Sequence, residues 1–447
     1  MLQQSLSDYL AKIEHLLNTE DDDGQAIQDL KSALSLRDPH VMNPYLQQQD
    51  ASNTVAMCKR IISVAPYDTL VAHHLAALQE VNEQRFSDAF ASQYRLLDTF
   101  LKEILKKSTD ENWFLPLLYR FCSDLRLTAH AATAASSVAT GTTMPGIPGA
   151  GRDEDDYGEG SSRSKSTSGG SGDHGAPDSG YYERATSLIM ECYRSCVVDV
   201  RASIEVSKRV AMLNLTNQLF RLYFRINKLH LLKPLVRAID NSSEALSDCF
   251  TMADKVTYRY YTGRRAMFDS DFRRAEDALS FAFRNCFPSD TKRNHRLILM
   301  YLIPVKMFLG HMPSEQLLQE YNLTQFSQVA AAVRQGNLMQ FERALEEHEA
   351  FFIKCGIFLM LEKLKMITLR TLFKRVCRII GTTQVSLDAF VTALKLMNVD
   401  DIDNAEVACL LANLISLKQI KGYISHDHQK LVVSKKEPFP ALSTVNV

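Results

Sequence analysis

Residues 362–380 read EKLKMITLRTLFKRVCRII. With Leu361 just ahead, apolar residues recur at Leu364, Ile367, Leu372, Val376 and Ile379, the spacing of one helical face. Lys363, Arg370, Lys374 and Arg378 are separated by seven, four and four residues, so they line another side of the same helix. Two shorter helical patterns follow. SLDAFVTALKLM starts at Ser386, placed to cap it, and AEVACLLANLISL starts at Ala405. Then the period changes from helical to alternating. QIKGYIS and LVVSK are short β-type runs on either side of the polar tip HDHQ, a hairpin signal. Three helices and a hairpin over 362–436 predict a winged helix, with a C-terminal tail to 447. Such a unit can lie against a nucleic-acid backbone or another protein.

Working outward, the chain has 447 residues, enough for two or three domains, and its 46% apolar share is ample for a core. Basic and acidic residues balance, 51 against 52, so any nucleic-acid contact must come from a local patch. The nine cysteines show no framework spacing, which predicts reduced thiols of the cytosol or nucleus. Cys192 and Cys196 stand one helical turn apart; a metal site would need a second pair, so they are read as buried thiols. MLQQSLSDYLAKIEHLL at the N-terminus reads as an amphipathic helix and not a signal peptide, and LILMYLIPV is far short of a membrane span.

Residues 1–130 form a helix-rich region. It is broken by the loop LRDPHVMNP, with Pro39 and Pro44, and holds a proline-started helix in NWFLPLLYRFCSDLRL, with Pro116 expected in the first turn. Residues 131–181 are Gly, Ser, Thr, Ala and acid, too poor in large apolar groups to offset the entropy of folding. They are expected to be a disordered insertion, and the acidic run Asp153, Glu154, Asp155 and Asp156 a solvated loop. Residues 182–361 return to helices in pairs. In YYTGRRAMFDSDFRRAEDALSFAFRNCFP, Gly263 permits close helix approach. Ala275, Leu279 and Ala282 form the facing stripe, and Pro288 ends the pair. Gly336-Asn337 marks a second turn between helices. The expected fold is therefore an all-α, TPR-like helical-repeat solenoid ending in a winged helix with a small β-hairpin wing.

Helical repeats running directly into a C-terminal winged helix resemble the PCI domain family, shared by proteasome-lid, signalosome and initiation-factor scaffold subunits. The strings NQLFRLYFRINKLHLLKPLVRAID, VTYRYYTGRRAMFDSDFRRAEDALSFAF, YLIPVKMFLGHMP, HEAFFIKCGIFLMLEKLK and GYISHDHQKLVVSKKEPFPALSTV carry the likeness further. They are similar to the branch that supplies the PCI subunit of the TREX-two transcription-and-export complex. The likeness is strong over 182–447 and looser over 1–130; the insertion at 131–181 departs from it. It implies a non-enzymatic scaffold that pairs with a GANP-type subunit and a small acidic DSS-type peptide. It also implies a place in the nucleus, at the nuclear face of the pore, in mRNA export. Two winged helices side by side would make a platform for RNA or DNA. A second reading, assembly alone as in the lid and signalosome relatives, needs no nucleic acid.

The nucleic-acid candidates are Lys363, Arg370, Lys374, Arg375, Arg378, Lys418, Lys421, Lys430, Lys435 and Lys436. Their chemistry would be phosphate neutralisation, which is blind to base sequence. The third helix offers Asn404, Glu406, Asn413 and Ser416 as exposed positions, a poor set for reading base edges. Lys228, His230, Lys233 and Arg237 form a basic ridge beside an apolar stripe. It fits two readings equally: a seat for the acidic peptide, or a solvated rim on a helix pair meeting at Pro234. His426 and His428 are read as a polar wing tip rather than metal ligands. The aromatic stripe Tyr258, Tyr260, Tyr261, Phe268 and Phe272 is read as core. No GxxxxGK[ST], HExxH or GxSxG occurs, so no catalytic residue, cofactor or metal is expected.

Overall fold

The computed structural model describes residues 6–19, 25–36, 51–108, 112–139, 180–199, 203–204, 206–286, 291–399 and 401–445. The described residues fall into two units, one reaching Asp254 and one running on from Lys255. The division lies inside the helix Met252–Phe268, at a point the sequence pattern gives no sign of.

The first unit is built from helices. Leu6–Asn18 turns Leu6, Tyr9, Leu10 and Ile13 inward, as its amphipathic pattern requires. Phe100 and Phe121 meet edge to face, 5.3 Å apart, in the core between the helices Phe86–Phe100 and Leu115–Ala139. Pro116 does stand in the first turn of the second of these. That helix continues through Ala139, so the expected boundary at 130 is too early. The alanine-rich start of the insertion is good helix material, and Ala132 is fully buried. Gly180 and Tyr181 likewise already belong to the next helix, Gly180–Val197. The rest of the expected insertion, its acidic run, the Pro39–Pro44 loop and Pro288 lie outside the described residues. Cys192 and Cys196 are fully buried, and burial pushes the Cys196 thiol far up, so it stays protonated.

The second unit opens with the expected pair, Met252–Phe268 and Phe272–Asn285. A methyl group at Gly263 would lie 2.7 Å from Leu279 Cγ and 3.3 Å from Ala278 Cβ, and Ala275, Leu279 and Ala282 are wholly buried. Of the aromatic stripe, Tyr258, Tyr261 and Phe272 are core, Tyr260 is partly buried and Phe268 is exposed. Helices Thr291–Phe308, Gln325–Gln335 and Leu338–Glu347 follow. Gly336 takes the left-handed conformation, φ 69°, and Asn337 caps the next helix by accepting from Gln340 N at 3.0 Å.

The long helix Phe358–Ile380 then belongs to two cores at once. Met360, Leu361, Leu364 and Ile367 pack into the helical repeats. Leu369, Leu372, Phe373, Val376 and Cys377 pack into the winged helix. The winged helix continues with β1 (Gln384–Ser386), the helices Leu387–Lys395 and Asn404–Ser416, β2 (Gly422–Ser425) and β3 (Lys430–Val433). The sheet is antiparallel in the order β1-β3-β2. β1 is a strand beyond the expected hairpin. Ser386 occupies the N-cap position, but its hydroxyl donates to Asp388 Oδ2 at 3.0 Å instead of capping the backbone.

Two further contacts fix the winged helix to the repeats. At the turn before Leu338, a methyl on Gly336 would sit 2.5 Å from Leu372 N, so only glycine lets the turn approach the long helix. The C-terminal tail runs back from the wing: Lys421 N donates to Pro438 O at 2.8 Å, Leu442 enters the repeat core, and Arg273 Nη2 donates to Ser443 O at 3.0 Å. A shared helix, a docked turn and a returning tail leave little freedom at this joint. No described helix is long and apolar enough to cross a membrane.

Candidate nucleic-acid interface

The long helix sorts its basic residues by the elements packed around it. Arg370, expected on the basic face, is buried, 5% exposed. Its Nε donates to Gln419 O at 3.1 Å, its Nη2 donates to Pro440 O, and its guanidinium lies 5.8 Å from the Phe439 ring centre. The tail covers the position, and the main-chain carbonyls hold the charge there. Arg370 is thus a structural clamp and not a phosphate contact. The helical spacing did place it in line with Lys374, but the returning tail takes it out of solvent.

Lys363 is exposed and donates to Ser270 Oγ at 3.1 Å, on the helical-repeat side of the joint. Arg375 is exposed but donates from Nη1 to Gln335 O, satisfying the end of the helix Gln325–Gln335. Lys421 pairs with Glu437 at 2.8 Å. These three hold contacts within the protein. Lys374 is half-buried, and burial, followed by the neighbouring Arg370 and Arg378, lowers its pKa. Arg378, Lys418, Lys430, Lys435 and Lys436 are exposed. Among the described residues, no carboxylate lies within ion-pair distance of Lys374 or of these five.

The third helix is different. Asp403 caps it in a reciprocal box with Glu406, and Asp401, Asp403 and Glu406 are all exposed around its N-terminus. Asn413 and Ser416 are also exposed, whereas Asn404 is half-buried and donates to Asp388 Oδ1 at 2.9 Å. An acidic start suits the helix dipole but repels phosphate. The tip histidines His426 and His428 are exposed, and among the described residues no group of three His, Cys, Asp or Glu side chains could hold a metal ion.

In the first unit, the ridge sits on the short helix Leu232–Asp240 and the turn before it. Leu232, Leu235, Val236 and Ile239 are buried beneath it, while His230, Lys233 and Arg237 are exposed. Lys228 pairs with Glu183 at 2.8 Å. The helix pair meets at Asn227, in the left-handed conformation, and Pro234 stands in the first turn of the second helix. Sequence reading missed Phe439 and Pro440, which clothe Arg370, because only the fold brings the tail to the long helix.

A PCI domain model matches residues 345–435, which span the joint and the winged helix. Relatives match almost the whole chain. A Caenorhabditis elegans PCI domain-containing protein 2 homolog is 47% identical over 99% of this chain and 98% of its own length. The Xenopus laevis PCI domain-containing protein 2 is 44% identical over all of both chains, and a Drosophila melanogaster homolog is 40% identical over 98% of this chain and 99% of its own. At such identity over full length, fold and packing are shared, and the chain belongs to the PCI domain-containing protein 2 family, as a PCI scaffold protein.

Proposed function

We propose that this chain is a non-enzymatic scaffold subunit of a TREX-two-type complex, working in mRNA export at the nuclear face of the nuclear pore. Its winged helix contacts RNA or DNA without sequence preference. The observation that carries the reading is the set of cations with no carboxylate partner among the described residues, at Lys374, Arg378, Lys418, Lys430, Lys435 and Lys436, on a winged helix that shares its long helix with the repeats. Each such cation that meets a phosphate releases condensed counterions, which gives affinity without base readout. The acidic start of the third helix keeps that helix from serving as a groove reader. The ridge His230, Lys233 and Arg237, above its apolar stripe, suits a small acidic DSS-type peptide, and a GANP-type subunit would supply the second winged helix.

The test is a fluorescence-anisotropy titration of the full chain with a labelled oligonucleotide at several salt concentrations. Lys374→Glu with Arg378→Glu should flatten the log–log salt slope by about 1.4–1.8, the share of two phosphate contacts, for unrelated sequences alike. An unchanged affinity in a folded double variant would favour the assembly-only reading. Failure to co-elute with a GANP-type subunit and a DSS-type peptide at physiological salt would sink the complex itself.

A further inference from the structure

The register of the small sheet decides which side chains share a face. Gln384 pairs with Val432, which pairs with Tyr423; Ser386 pairs with Lys430, which pairs with Ser425. These six lie on one face, because alternate residues of a strand point to opposite sides. The other face is the inner one. Val385, Leu431 and Val433 are buried there, with Ile424 packed against the same core. Folding of the wing is served by that inner set.

Tyr423 stands on the outer face, on the edge strand β2, and is 63% exposed. It is the most exposed aromatic side chain among the described residues, ahead of Trp113 and Phe268 at 43% each. Among the described residues, no aromatic ring packs on it and its hydroxyl has no hydrogen-bond partner. Lys430 lies in the adjacent row of the same face, and the exposed Lys435 follows the hairpin, while Lys421 ahead of it is held by Glu437. A flat ring open to solvent, beside Val432 and one row from the ammonium group of Lys430 and the hydroxyl of Ser425, matches a nucleotide whose base is free to stack while its phosphate meets a cation. A duplex keeps its bases inside and offers this ring nothing beyond backbone.

We propose that the outer face of the wing sheet, centred on Tyr423, is a stacking site for an unpaired nucleotide, so that the winged helix prefers single-stranded RNA or DNA to duplex. This rests on the nucleic-acid reading above and adds the kind of strand and the residue that selects it.

The experiment compares the full-length wild type, Tyr423→Phe and Tyr423→Thr by anisotropy, on a labelled 20-mer of uridine and on a duplex of equal length. Threonine removes the ring yet suits an edge strand, so the wing stays folded, as an unchanged melting temperature checks. Tyr423→Thr should weaken single-strand binding about tenfold, within the range that one stacked base contributes. Duplex binding and the salt slope should not move, because a neutral side chain releases no counterions. Tyr423→Phe should stay within about twofold of wild type, since its ring still stacks. Equal losses on both strands, no loss on the single strand, or a Phe variant as weak as the Thr variant would each overturn the stacking site. So would a Thr variant that keeps its nucleic-acid affinity but no longer co-elutes with a protein partner, which would give the face to that partner. A wild type that binds neither ligand would overturn the nucleic-acid reading itself, a result distinct from a wild type that binds and a Thr variant that binds equally well.

Discussion

The ridge at Lys228–Arg237 and the basic face of the long helix read alike in sequence, with cations recurring beside an apolar stripe, yet the fold treats them differently. On the ridge, burial stops at Leu232, Leu235, Val236 and Ile239, and His230, Lys233 and Arg237 remain at the surface. On the long helix two later segments, Gln419 just before the wing and Pro440 in the returning tail, enclose Arg370 with their carbonyls from 49 and 70 residues further along the chain. Lys374, one turn on, is only half-buried, and Arg378, two turns on, stays exposed. The lesson concerns range. Spacing shows which residues share a side of a helix, whereas only the arrival of another segment decides whether that side meets water.

The largest effect is expected where the two surfaces differ most. Arg370→Ala would leave two buried carbonyl oxygens without donors and a gap against Phe439, a loss of about 3 kcal/mol. Thermal unfolding should show a drop of several degrees for the second unit. A loss under about 1 kcal/mol would mean that the clamp is dispensable and that Arg370 could be free to meet a ligand after all. Lys374→Glu with Arg378→Glu should instead leave the melting temperature in place and lower nucleic-acid affinity by about thirtyfold near physiological salt. The same assay on Arg370→Ala and on the double variant would separate a structural from a phosphate-binding cation on one helix.

The ridge should respond to a different ligand. Lys233→Glu with Arg237→Glu should weaken binding of an acidic DSS-type peptide by about tenfold, chiefly through the association rate, and leave oligonucleotide binding unchanged. Stopped-flow mixing at two salt concentrations would read this. Equal loss of oligonucleotide binding would erase the distinction between the two surfaces.

Much of the fold was legible because its signals are local. Gly263 and the stripe Ala275, Leu279 and Ala282 lie within one helix pair, and the structure closes Gly263 on Leu279 and buries the whole stripe. Gly336-Asn337 is a turn whose left-handed residue and cap are neighbours. What escaped was non-local or too short to carry a period. β1 has three residues, Gln384–Ser386, and becomes a strand only through pairing with Lys430–Val432. The alanines after residue 130 look like linker by composition, yet Ala132 is buried within the helix that ends at Ala139. Of the candidate site, the open cations Arg378, Lys418, Lys430, Lys435 and Lys436 were legible, and the enclosure of Arg370 and the contact of Arg375 with Gln335 O were not.

The smallest expected effect falls on Lys228, and it sharpens the comparison most finely. Its ammonium meets Glu183 at 2.8 Å, with the two side chains 44% and 46% exposed. Exposed pairs of this kind contribute between nothing and about 1 kcal/mol, and salt screens them further. Lys228→Ala should therefore change stability by no more than about 0.5 kcal/mol in a denaturant titration. The pair has a second consequence for the ridge. An acidic peptide that uses Lys228 must displace Glu183, so Glu183→Ala, which leaves the lysine open, should tighten peptide binding by about twofold, an effect of the size one weak surface pair allows. Lys228→Ala should weaken that binding less than the loss of Lys233 and Arg237 does. The contrast with Arg370 would fail if Lys228→Ala cost more than about 1.5 kcal/mol, because a loss of that size belongs to buried charge and not to a solvated pair. Tighter peptide binding in Glu183→Ala, with stability unchanged, would instead place Lys228 with the open cations of the ridge, held in reserve by an acid that a partner can replace.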